Sequence, residues 1–139
     1  MCTASDSGTQ QSLIQGVRGK VRKLTGNQMP SSPDQPNSGN MELVQTTVWI
    51  FTAPIPGNGS PRWPVAEAEQ HSNLVRQVES DRNGCYRVEL PPGEYTIFAQ
   101  YDDHLYLNSF QGDGSYSFIE VAPNQLVQLD LTNTENAFF

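Results

Sequence analysis

The residues able to do chemistry in this chain are few and widely spaced. Two histidines, His71 and His104, and two cysteines, Cys2 and Cys85, stand among 139 residues. Acyl transfer needs a nucleophile, a base and an orienting group converging in space. His71 lies in a proline-rich stretch and His104 in an Asp-Asp-His turn, and no G-x-S-x-G elbow accompanies either. Both read as surface turn residues. Asp102, Asp103, His104 and Asp113 would offer hard ligands to calcium, but their spacing matches no EF-hand loop. No Cys/His spacing suggests zinc. No metal and no cofactor are therefore expected. The aromatic residues offer a different chemistry. Trp63, Tyr101, Tyr106 and Tyr116 are amphipathic rings of the kind that stack on sugars. Core packing and strand-edge cover explain the tyrosines better. Trp63, set among Pro61, Arg62 and Pro64, is harder to place in a core and is the first choice for a contact residue.

The two cysteines read differently. Residues 1–12, MCTASDSGTQQS, are small and polar and bury too little apolar surface to order themselves. A cysteine directly behind Met1, followed by such a tether, resembles a bacterial lipoprotein trimmed at its lipid-bearing residue. That resemblance implies a thioether-linked lipid on Cys2 and a membrane as partner. Cys85 falls on a predicted strand and reads as a small half-buried residue. The alternative is a Cys2–Cys85 disulfide, which would pin the tail to the sheet.

Composition narrows the partners further. Eight basic and fifteen acidic residues leave a net charge of −7. Nucleic acid is excluded, because its binding leans on Lys and Arg meeting phosphate. The only basic cluster is Arg18, Lys20, Arg22 and Lys23; on a strand the first three share a face, read here as a solvated outer surface. No apolar run reaches the roughly 18 residues of a membrane helix. The length fits one domain over 13–135, after a tether at 1–12 and before a stub at 136–139.

The elements that must position these residues are strands. Residues 81–97, DRNGCYRVELPPGEYTI, read as turn, strand, turn, strand. Asn83-Gly84 tolerates the positive φ of a tight turn, Tyr86, Val88 and Leu90 alternate with polar neighbours, and Pro91-Pro92-Gly93 ends the run. Further strands are predicted at 13–22, 42–53, 74–79, 95–101, 105–110, 116–121 and 126–131, with surface loops at 25–40 and 54–73 and one helical turn at 66–70. Gly16 and Gly19 predict a bulge or a close neighbour along the first strand. In 42–53 both alternating faces are apolar, so that strand is expected to be covered on both sides. Turns every 8–12 residues without an amphipathic helix predict an all-β antiparallel sandwich of seven to eight strands.

The order of these pieces resembles the carboxypeptidase regulatory-like domain, a transthyretin-like (prealbumin-like) Greek-key sandwich. The residues that carry it are Gly16-Val17 through Val21, Thr47-Val48-Trp49-Ile50, the hairpin from Asp81 to Tyr86, and Leu90-Pro91-Pro92-Gly93-Glu94-Tyr95-Thr96-Ile97. The likeness spans about 13–132 and extends to small bacterial lipoproteins carrying this domain alone. It implies a non-enzymatic module for protein interaction or structural support, lipid-anchored at the periplasmic or surface face of a bacterial envelope. The alternatives are a carbohydrate-binding module using Trp63, Tyr101, Tyr106 and Tyr116, and a small hydrolase using His71 or His104.

Overall fold

The computed structural model describes residues 15–27 and 40–138. The expected tether with Cys2, and most of the loop expected at 25–40, lie outside the described residues. Eleven short strands and one helical turn follow one another: β1 (Gly16–Asn27), β2 (Asn40–Leu43), β3 (Thr47–Thr52), β4 (Arg62–Pro64), α1 (Val65–Ala68), β5 (Leu74–Glu79), β6 (Cys85–Glu89), β7 (Gly93–Tyr101), β8 (His104–Tyr106), β9 (Ile119–Val121), β10 (Leu126–Gln128) and β11 (Leu131–Phe138). They form an all-β sandwich of two packed sheets.

In the first sheet β1 is the spine. β6 and β2 pair with it antiparallel on one side, and β10 and β11 pair with it parallel on the other. The parallel pairs qualify the expectation of a purely antiparallel sandwich. The second sheet runs β4-β8-β7-β3-β5, with β9 also on β7, and every pair is antiparallel. The segment expected as a stub belongs to β11, whose residues 136–138 pair with 25–27 of β1.

Alternation sorts the side chains into two cores. Val17 and Val21 from β1, Tyr86 and Val88 from β6, Val48 and Ile50 from β3, and Tyr95, Ile97 and Ala99 from β7 meet between the sheets. On the far side of the second sheet, Trp49, Phe51 and Phe98 pack against Ile55, Trp63, Ala68, Leu105 and Tyr116. β3 is thus covered on both faces, as its doubly apolar pattern predicts. The cover is Ile55 and α1 from the 54–73 stretch together with Tyr116, while β4, at the edge of the same sheet, adds Trp63.

Two local devices explain where strands begin and end. Asp81 closes the turn before β6: its carboxylate accepts from the amides of Asn83 at 2.8 Å and Cys85 at 3.0 Å, and Gly84 adopts φ 77°. The expected 42–53 strand is in fact two, because the chain crosses from the first sheet to the second at 44–46. Ser80 holds that crossing. Its hydroxyl accepts from the Thr46 amide at 2.8 Å and donates to the Val44 carbonyl at 2.8 Å, while the Ser80 amide donates to Thr46 O.

Cys85 departs from its expected role. It is buried and disulfide-bonded, with the partner sulfur outside the described residues. Cys2 is the sequence's only other cysteine. A lipid thioether on Cys2 and a Cys2–Cys85 bridge would therefore compete for one sulfur atom.

Candidate functional site

A cleft of about 280 Å3 opens between the sheets along the β7 and β11 side. Its origin is an interruption in each sheet at the same height. In the second sheet β8 pairs with 99–101 of β7 and β9 with 93–95, so no strand among the described residues covers that edge in between. In the first sheet β10 ends at Gln128 and β11 begins at Leu131, leaving Leu129 and Asp130 as a crossing. Gly19 makes the crossing possible. A Cβ there would stand 1.8 Å from the Leu129 carbonyl oxygen, so only glycine lets the segment pass this close to β1. This is the close neighbour that Gly19 predicts from sequence.

The crossing is pinned from several directions. The Leu129 amide donates to Arg18 O at 2.8 Å, and the Tyr86 hydroxyl donates to Leu129 O at 2.6 Å. Asp130 Oδ1 accepts from the Lys20 amide at 3.0 Å and from Gln128 Nε2 at 3.2 Å, and its Oδ2 lies 3.9 Å from Arg22. Burial, reinforced by the charge of Asp130, drives the Tyr86 phenol far above its ordinary range. Tyr86 is therefore a neutral donor at all physiological pH.

The walls are largely apolar. Strand alternation turns Tyr95, Ile97, Ala99 and Tyr101 of β7 toward the cleft, β8 adds Tyr106, and Leu129 and Leu131 face them. Leu107, Phe118 and Ile119 flank the opening with Asn108, Ser109 and Ser117. Phe118 is exposed, and the Ser109 and Ser117 hydroxyls are 2.8 Å apart. Tyr101 and Tyr106 meet edge to face with centroids 6.3 Å apart.

Beneath that pair lies a small polar cluster. Tyr106 Oη and Thr134 Oγ1 are 3.2 Å apart. Glu135 is bound by Arg62, accepts from Asn133 Nδ2 at 3.3 Å, and lies 3.9 Å from His104 Nε2. Burial alone would raise the Glu135 carboxyl, but the hydrogen bonds from Arg62 and Asn133 and the charges of Arg62 and His104 outweigh it and hold it below the ordinary value. The Tyr101 phenol is pushed up to about 12 by burial, then by Tyr106 and Glu135, and its hydroxyl has no partner among the described residues.

The four aromatics expected to form one platform are thus divided. Tyr101 and Tyr106 line the cleft. Trp63 and Tyr116 are buried in the second core, 6.5 Å apart, with Trp63 only 5.1 Å from Phe51 and 5.4 Å from Phe98. Trp63 is not a surface contact residue, because β4 pairs with β8 and turns it inward between exposed Arg62 and Pro64. The Tyr116 hydroxyl donates to Ser60 O at 2.7 Å and lies 3.1 Å from Asn58 Oδ1. One sequence signal pointed to this: Phe51 and Trp49 form a large apolar face that needs a cover, and Ile55 and Trp63 are the bulky residues in the stretch that follows.

The histidines are also separate. His71 Nδ1 accepts from the Asn73 amide at 3.1 Å, and its ring stands edge-on to Phe51 and Trp63. His104 sits between Asp103, 3.8 Å away, and Glu135. Among the described residues neither hydrogen-bonds to a serine, threonine or cysteine side chain. Asp113 is not gathered with Asp102 and Asp103; its carboxylate accepts from the Ser115 amide and hydroxyl, which lowers it below the ordinary range. Sequence reasoning missed Leu129, Asp130 and the 107–119 rim, because a cleft made by matched interruptions in two sheets leaves no local pattern. The chain was compared with family models, with curated proteins and with solved structures, and none of the three comparisons found a match.

Proposed function

We propose that the chain is a non-catalytic binding module of a bacterial cell envelope, of carboxypeptidase regulatory-like type, that meets its partner at the cleft between the sheets. The observation carrying this is the cleft itself: an apolar slot held open by pinned backbone, with exposed Phe118 at its mouth. Its one carboxylate, Asp130, is already engaged by Lys20, Gln128 and Arg22. Such walls supply shape and apolar contact rather than proton transfer. A sugar-binding reading has less support, because Trp63 and Tyr116 are buried and Tyr101 and Tyr106 present no shared flat face.

Placement outside the cytoplasm is supported by the Cys85 disulfide, since such bonds persist in oxidising compartments. Anchoring by lipid on Cys2 is the further part of the proposal, and it requires Cys85 to bond a sulfur other than that of Cys2. The test is photo-cross-linking in intact envelopes with benzoylphenylalanine at position 118, using position 75 on β5 as the control. A discrete adduct at 118 and none at 75 is expected. No adduct at 118, or an esterase activity that disappears in His104→Ala, would overturn the reading.

A further inference from the structure

We infer that the cleft takes a small neutral amphiphile: one aliphatic chain or single ring, carrying an uncharged hydroxyl or amide head. This rests on the reading of the cleft as the recognition site and names what occupies it. The first argument is dimension. The volume of about 280 Å3 is at the lower end of ligand pockets, which begin near ~300 Å3. It far exceeds the ~10–15 Å3 that one water requires. Its walls belong to two facing sheets, which pack about 10 Å apart. A slot of that depth admits one chain or one ring, and leaves a larger partner only the rim around exposed Phe118.

The second argument is chemistry. Ile97, Ala99, Leu129 and Leu131 offer only carbon, and the tyrosines and Thr132 beside them add only neutral hydroxyls. Ala99 is the small residue that leaves room between Ile97 and Tyr101. Asp130, the one formal charge on the walls, already has its partners, so a charged head would lose hydration and gain no counter-ion. The rim supplies neutral groups: the Asn108 amide and the Ser109 and Ser117 hydroxyls. An uncharged head at the rim with its tail between the sheets satisfies both zones.

The experiment uses the purified chain and N-phenylnaphthylamine, a neutral fluorophore that brightens in apolar surroundings. Saturable one-to-one binding is expected, displaced by decanol about tenfold more effectively than by decanoate at neutral pH. Ala99→Leu fills the slot and Ser109→Trp blocks its exposed rim, and each is expected to weaken binding about tenfold or more. Ser109 is exposed and outside both cores, so that variant keeps the test valid even if Ala99→Leu fails to fold. Absence of saturable binding overturns the inference, as does equal displacement by decanoate or unchanged binding in Ser109→Trp. A cross-linked protein adduct at 118 in envelopes, with no binding of the fluorophore, would leave the binding-module reading standing and remove this one.

Discussion

Thr96 and Ser80 show how much one hydroxyl depends on its surroundings. Both are buried, but Ser80 makes three hydrogen bonds to the crossing at Val44 and Thr46, whereas the Thr96 hydroxyl has no partner among the described residues. An unmet buried hydroxyl costs about 1–3 kcal/mol, and a satisfied one costs a similar amount to remove. Thr96→Val is therefore expected to raise unfolding stability by about 1 kcal/mol, and Ser80→Ala to lower it by about 1–3 kcal/mol, both read from urea midpoints at unchanged slope. Equal effects of the two substitutions would refute the assignment. At this level the sequence showed which residues were polar and which apolar, but not which polar atoms would be paired. Trp63 is the clearest case: its neighbours Arg62 and Pro64 look like a surface loop, and only the pairing of β4 with β8 turns the indole inward.

Among the elements, the strands bounded by turn residues were legible and the breaks inside a continuous β-forming run were not. β5 occupies 74–79 as expected, and the turn at 81–84 and the doubly buried face of β3 follow directly from Asn83-Gly84 and from alternation. The 42–53 run has β-forming residues throughout, so nothing local marks the crossing at 44–46. The 126–131 run is likewise divided by the crossing at Leu129 and Asp130, which is set by a close approach to Gly19 from the other end of the chain. Gly19→Ala is expected to cost about 1–3 kcal/mol, because a methyl group must push backbone aside. Fluorophore binding in the cleft should fall with it. A variant of wild-type stability that binds normally would show the crossing to be adaptable.

For the molecule as a whole, the two sheets are tied at one end by Arg62 and Glu135, joining the second sheet to the first. A carboxyl held lower in the fold than in the unfolded chain contributes stability that is complete above its unfolded value, here 4.5, and is lost as pH falls through the folded value. The wild type should lose stability below pH 4.5, and Glu135→Gln should flatten that part of the curve, as followed by urea midpoints across pH. A parallel fall in both proteins would assign the acid sensitivity elsewhere. The two fates of the cysteine sulfurs separate by thiol alkylation of denatured protein: a bridge between them leaves no label until reduction exposes both, whereas a lipid on Cys2 removes one of the two for good.

The spine of the first sheet has a temporal meaning. The partners of β1 on one side are β10 and β11, and the contact between Lys20 and Asp130 spans 110 positions. Closing so large a loop is entropically costly and slow. On folding, the second sheet can assemble from segments closer in sequence, while the first waits, half-built, for β10 and β11 to reach β1.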